Sequence, residues 1–186
     1  MALSFHALSE SRSVLELGCG VGTNLSCLAN SHSGPIVGLD ISENSVLIGN
    51  GLTGENDTKV IRLIHDFKTL NIFSPKMFAI TFTDASMYTL GRRSFSDILR
   101  EADRVTGDFL VFLELQVSNT EKQKFTRDGF LRNYGYECKK IGMQTLTFPL
   151  PPHLRTGGRW PQIGAITIAT RNKSSSELAS ILASFT

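Results

Sequence analysis

The sequence predicts an α/β fold: a mostly parallel sheet with helices on both faces. Three observations carry this. Short, nearly continuous apolar runs such as SVLEL, PIVGL and DFLVFLEL recur between helix-like patterns, as expected of parallel strands covered on both sides. Residues 13 to 25, SVLELGCGVGTNL, pass from such a run through Gly18, Gly20 and Gly22 into a helical pattern. Finally, 186 residues with 41% hydrophobic and 19% charged side chains suit one globular core. The expected organisation is a short segment over 1–12, a domain over 13–171 and a tail over 172–186.

Val14, Leu15 and Leu17 form the first strand. The glycines after it supply positive φ and leave no Cβ between the main chain and a ligand. The helix starts near Thr23, turns Leu25, Leu28 and Ala29 inward, and points its first amides back at the turn. A dinucleotide fingerprint would place a glycine five positions after Gly18, where this chain has Thr23, and this argues against NAD. Glu16 sits badly beside a pyrophosphate but suits a cationic amino-acid head group. The second strand, within Gly34 to Ser42, ends on Asp40, about twenty residues past the glycines, where an acid accepts ribose hydroxyls. Ile41 offers an apolar face to an adenine. A glycine turn alone has structural uses, and Asp40 or Asp66 alone reads as a helix cap. Their combination discriminates.

These residues resemble the class I S-adenosylmethionine-dependent methyltransferases, over roughly Ser13 to Thr170, most strongly in ELGCGVG and VGLDIS. The resemblance implies S-adenosyl-L-methionine as cofactor and S-adenosyl-L-homocysteine as product. It implies that the motif containing Glu16, Gly18, Cys19, Gly20 and Thr23 holds the methionine part and that Asp40 holds the ribose. It also implies that an acid after the third strand, KVIRLIHDF, reads the adenine amino group; this is Asp66, with Phe67 beside it. The family sheet has the order 3-2-1-4-5-7-6 with strand 7 antiparallel.

The fourth strand is expected over Phe78 to Thr83. In the family its end borders both the methionine moiety and the acceptor, which selects Thr83, Asp84 and Tyr88. Asp84 reads as a general base or hydrogen-bond acceptor, or as a cap on the next helix. Tyr88 reads as pocket lining or as packing under the loop. A helix from Ser94 or Ser96 would bury Phe95, Ile98, Leu99, Ala102 and Val105 and stop at Gly107. Strand five follows over Asp108 to Leu115, then a polar helix over about Glu121 to Asn133, strand six over Tyr136 to Ile141, and a last strand over Gly164 to Arg171. The last two pair antiparallel. The long loop between them, Gly142 to Ile163, holds one candidate base, His153, two anion binders, Arg155 and Arg159, and an aromatic platform, Trp160. It is either a substrate lid or a proline-stiffened connector.

With 19 basic and 17 acidic residues, the formal charge of +2 does not announce nucleic acid. Cys19, Cys27 and Cys138 are odd in number and lack metal-like spacing, and His6, His32, His65 and His153 are scattered, so no metal site is expected. No apolar run of about 18 residues and no secretion signal are evident, which makes the cytoplasm the expected location. Only about a dozen residues precede the first strand, so the N-terminal helices that cap many small-molecule methyltransferases are not expected, and a lid must come from elsewhere or be absent. In the tail, Leu178, Ile181, Leu182 and Phe185 recur at helical spacing behind a cap at Ser176 or an adjacent serine, giving a face for its own domain, a second copy or a partner subunit unless the tail frays. The expected activity is transfer of a methyl group to O, N or C of a small polar or anionic acceptor, a sugar or metabolite. The alternatives are a cofactor-binding but catalytically silent partner subunit and a methyltransferase acting on a macromolecule.

Overall fold

The computed structural model describes residues 13–52, 59–118, 123–127, 129–151 and 157–183. Nine strands are present among these residues: β1 (Val14–Leu17), β2 (Ile36–Asp40), β3 (Val60–Ile64), β4 (Phe78–Asp84), β5 (Thr106–Leu115), β6 (Lys124–Thr126), β7 (Gly129–Leu131), β8 (Gln144–Pro149) and β9 (Gly164–Thr170). The helices are α1 (Thr23–Ala29), α2 (Glu43–Leu52), α3 (Arg92–Val105), α4 (Tyr134–Lys140), α5 (Trp160–Ile163) and α6 (Ser175–Ala183). Seven strands form one sheet in the order β3-β2-β1-β4-β5-β9-β8, and β6 and β7 form a separate hairpin. In the large sheet β9 pairs antiparallel with both β5 and β8, and the other pairings are parallel. The predicted strand order and the antiparallel last strand are therefore observed.

Alternation along each strand splits the core in two. Leu15, Leu17, Leu110 and Phe112 face α3 and α4, meeting Phe95, Ile98, Leu99, Ala102, Tyr134 and Cys138. Val14, Ile36, Ile80, Phe82 and Val111 face the other way, onto Leu25 and Leu28 of α1 and Leu178 of α6. The same alternation sends Glu16, Asp40 and Asp84 to the α1 side and Thr83 and Glu114 to the α3 side. That parity builds the site.

Several boundaries differ from the sequence expectations. The polar helix over 121–133 is replaced by the β6–β7 hairpin, where Phe125 and Phe130 meet edge to face at 4.7 Å. Strand six does not lie over Tyr136 to Ile141: the chain is helical there as far as Lys140. There Tyr134 and Cys138, four residues apart, are both buried, and the Asn133 side chain accepts from the Tyr136 amide at 2.7 Å as an N-cap. The sixth strand of the sheet is instead β8, inside the predicted loop, where Leu146 and Phe148 alternate with threonines and pack on the core. Helix α3 starts at Arg92, and Gly107 does not stop it: the chain passes at Thr106 directly into β5. The tail helix is capped by Ser174, whose Oγ accepts from the Glu177 amide while Glu177 accepts from the Ser174 amide. Leu178 is fully buried, so α6 docks on its own domain through that residue. Phe185 and the segment 1–12 lie outside the described residues. No helix among the described residues is long and apolar enough to cross a membrane.

Candidate functional site

The turn after β1 is tied to β2. The amides of Gly18 and Cys19 both donate to the Leu39 carbonyl, and the Gly20 amide donates to Asp40 Oδ2 at 2.7 Å. Gly18, Gly20 and Gly22 all have positive φ, from 54° to 83°. Gly18 carries a second constraint: a Cβ there would lie 2.5 Å from the Ser86 Cβ, on the turn after β4. Ser86 Oγ in turn donates to the Leu17 carbonyl at 2.7 Å. The two turns are in direct contact.

At the base of this junction one amide bridges two acids. Asn24 Nδ2 donates to Glu16 Oε1 at 2.7 Å and to Asp84 Oδ2 at 3.0 Å. Glu16 is 1% exposed, and its Oε2 has no protein partner. Burial pushes the Glu16 carboxyl up to about 8, with Asp84 and Asp40 adding to the rise and Asn24 and Arg62 opposing it. Burial also raises Asp84, against the Asn24 hydrogen bond. A buried carboxylate oxygen with no partner is costly on its own and is relieved by a cationic donor. Cys19 is buried and its thiol is pushed up to about 12, chiefly by burial, which leaves it protonated and inert as a nucleophile.

The turn after β4 is held from behind. Glu114 on β5 is fully buried, and its Oε1 accepts from the Ser86 amide, the Met87 amide and Thr83 Oγ1 at 2.9 to 3.0 Å. Arg132, also buried, donates to the carbonyls of Met87 and Leu90 and stacks on Phe95 and Phe130. Within this clamp Ala85 is held at φ 55°. Thr83 is fully buried with its hydroxyl committed to Glu114. Tyr88 is half-buried and packs beneath the hairpin: a Cβ on Gly129 would lie 2.5 Å from the Tyr88 carbonyl oxygen.

The remaining anchors line the carboxyl ends of β2 and β3. Each Asp40 oxygen takes one backbone amide, from Gly20 and from Ser42. Helix α2 is capped by Ser42 rather than by Asp40, since Ser42 Oγ accepts from the Ser45 amide. Ile41 is 67% exposed beside Asp40. Asp66 accepts from the Lys68 amide and pairs with Lys68 Nζ at 3.4 Å. Phe67 packs on the core, and its ring edge lies 3.4 Å from where a Gly18 Cβ would stand. Thr23, the first residue of α1, is exposed. Trp160 packs with Ile163 against Leu115, Val117 and Leu131, while Arg159 is exposed; His153 and Arg155 lie outside the described residues.

Asn24, Glu114, Arg132 and Arg62 are absent from the sequence expectations. Two had a signal: Glu114 and Arg62 are lone charges inside apolar strands, FLVFLEL and VIRLI, and a charge there demands a buried partner. Asn24 and Arg132 sit in polar stretches and give no such mark.

Residues 14–108, just over half of the chain, match the sequence profile of the methyltransferase domain family. The chain belongs to that family, and its cofactor is S-adenosyl-L-methionine. No curated protein matches the sequence. Among solved structures, the chain is similar to an S-adenosylmethionine-dependent methyltransferase from Mesorhizobium loti, with 12% identity, 91% of this chain and 96% of that chain covered, and a TM-score of 0.68. It is also similar to a chain from the complex of the Haloferax volcanii Trm112 methyltransferase activator with a methyltransferase, with 17% identity, 93% and 88% covered, and a TM-score of 0.70. The cyclase SpnF is alike too, with 15% identity, 89% and 76% covered, and a TM-score of 0.68. At such identities these likenesses show the fold alone. The orphaned Glu16 oxygen and the open glycine turn fit a cofactor with a cationic amino-acid end.

Proposed function

We propose that this methyltransferase acts on a nitrogen or oxygen that carries a proton, in a small polar acceptor presented to Asp84. The carrying observation is the Asn24 amide that grips Glu16 and Asp84 together. Bound S-adenosyl-L-methionine supplies a methyl group on an electrophilic sulfonium centre. Glu16 receives the ammonium end of the cofactor at its free oxygen, Gly18, Cys19, Gly20 and Thr23 frame the methionine chain, and Asp40 takes the ribose hydroxyls. Ile41, Asp66 and Phe67 border the adenine, and Thr83 braces the floor beneath. Asp84, raised by burial, accepts the hydrogen bond of the incoming nucleophile and takes its proton, so alignment and proton removal come from one group. Arg159, exposed at the N-cap of α5, faces an anionic group of the acceptor, and Trp160 behind it packs on the sheet as its support.

The test is release of S-adenosyl-L-homocysteine over a panel of amines, alcohols and phenols. Turnover is expected on N–H or O–H acceptors, and Asp84→Asn should lower kcat by about a hundredfold or more while shifting the Kd for S-adenosyl-L-methionine by no more than about threefold. Equal loss in both would remove Asp84 from the chemical step. A second reading, an enzyme that needs a protein partner, is favoured by exposed Leu47, Ile48 and Leu52 on α2 and Ile61 and Ile64 on β3. In that case the purified chain binds the cofactor but turns nothing over.

A further inference from the structure

Arg62 is a buried cation with no place in the chemistry described so far. It lies on β3 in the sheet row Glu16–Gly38–Arg62, so its side chain rises on the same face as Glu16, two strands away. Neighbouring strands are about 4.8 Å apart, and the intervening Gly38 adds no side chain to that row. Only 6% exposed, the Arg62 chain threads between α1 and α2, where Nη2 donates to Ser26 Oγ at 3.2 Å.

Two glycines make room for it. A Cβ on Gly22 would run into Arg62 Nε and lie 3.0 Å from Cζ and Nη2. A Cβ on Gly49, in the middle of α2, would run into the Val21 carbonyl oxygen and lie 2.9 Å from Arg62 Cδ and Nε. The guanidinium therefore fills the space directly under the glycine turn, against the helix that follows β2. Its charge opposes the burial of Glu16 and Cys19, drawing both acids downward. Burying an arginine is costly, and a site that retains one needs the return of a fixed geometry and an opposite charge.

We propose that Arg62 is a positioning residue for cofactor binding, a wedge that sets the height of the Gly18–Gly22 turn and puts a positive charge behind Glu16. The inference rests on the reading that this turn holds the methionine end of S-adenosyl-L-methionine. Arg62 acts through the turn and through Glu16. The groups facing Glu16 are Asp40 from β2, Arg62 from β3, Asp84 from β4 and Asn24 from α1, so replacing Arg62 removes the cation from that set.

The experiment is calorimetry of S-adenosyl-L-methionine and S-adenosyl-L-homocysteine on the full chain, wild type and variants, between pH 6 and 9. Arg62→Met is expected to weaken both ligands at least tenfold and to move the pH dependence of binding upward, because Glu16 then ionises less readily. Arg62→Lys, which restores the charge without the planar fork, should recover part of the affinity and most of the pH profile. Gly49→Ala improves helix propensity yet should weaken binding several-fold by displacing the turn. Arg104→Met is the control: from the last turn of α3 that arginine donates to the Leu70 and Phe73 carbonyls, and its loss should lower Tm while leaving Kd within twofold. Binding by Arg62→Met within twofold of wild type overturns the proposal. If Arg62→Met does not fold, Gly49→Ala decides, and wild-type affinity there overturns it equally. Failure of the wild type to bind either ligand would sink the reading of the turn itself.

Discussion

Two turns meet at the candidate site, and they owe their shapes to different things. The turn after β1 bends through three glycines at positive φ and is secured by backbone hydrogen bonds and by Asp40. The turn after β4 contains no glycine before Gly91; Ala85 is bent to φ 55°, and Glu114 and Arg132 hold the segment from behind. In the first, glycine freedom makes the bend itself, with Arg62 packed beneath it, and leaves side chains out of the space a ligand needs. In the second, buried charges distant in sequence impose the shape from behind, on the face of the sheet opposite Asp84. Contact between Gly18 and Ser86 couples them.

The sharpest way to break the first turn is a single methyl group. Gly18→Ala places a Cβ at 2.5 Å from the Ser86 Cβ and asks alanine to adopt φ 81°. Left-handed backbone costs about 1–2 kcal/mol for a residue with a Cβ, and the clash adds to it. The expected result is a loss of S-adenosyl-L-methionine affinity of about a hundredfold, on the order of 3 kcal/mol, read by calorimetry. An unchanged Kd would mean that the turn does not hold the cofactor.

The second turn should break through Glu114 instead. Glu114→Ala leaves the Ser86 and Met87 amides and the Thr83 hydroxyl without their acceptor, at a cost of about 2–3 kcal/mol in stability. Glu114→Gln keeps an oxygen for the three donors and removes the titration. Burial pushes the Glu114 carboxyl up to about 7, while its hydrogen bonds oppose the rise. The folded chain then keeps a proton there that the unfolded chain has already released. This contribution is complete below about pH 4.5 and is lost as the pH rises through 7, amounting to about 3 kcal/mol. The ligand-free Tm should therefore fall between pH 5 and 8, and fall less steeply in Glu114→Gln. The part that remains belongs to Glu16 and Asp84, both raised in the same direction. Identical slopes in the two proteins would show that Glu114 is ionised throughout.

The same contrast explains what could be read from the residues. The first turn is legible because its causes are local: Gly18, Gly20, Gly22 and Asp40 announce their roles by type and spacing. The sheet order followed from the family resemblance. The region after β5 misled because its causes are tertiary. Tyr136 to Ile141 has enough aromatic and aliphatic character for a strand, yet burial of Tyr134 and Cys138 against Phe95 and Phe112 makes it a helix. Asn24 became a site residue only when folding brought Glu16 and Asp84 to within reach of one amide.

The mildest substitution tests the comparison most directly, because it gives the second turn what the first one has. Ala85→Gly removes a Cβ from a residue at φ 55° and so relieves left-handed strain of about 1 kcal/mol. Glycine also gains freedom in the unfolded chain, which takes back about 0.4–1 kcal/mol. If the clamp of Glu114 and Arg132 fixes the turn, the two terms nearly cancel, and Tm and Kd for S-adenosyl-L-methionine should stay close to wild type. A clear rise in Kd or a loosened turn, seen as faster amide exchange at Ser86 and Met87, would show that the alanine itself had been holding the shape. The asymmetry is the expected signature: adding a methyl to Gly18 disables one turn, while removing a methyl from Ala85 leaves the other standing because its supports lie elsewhere in the sheet.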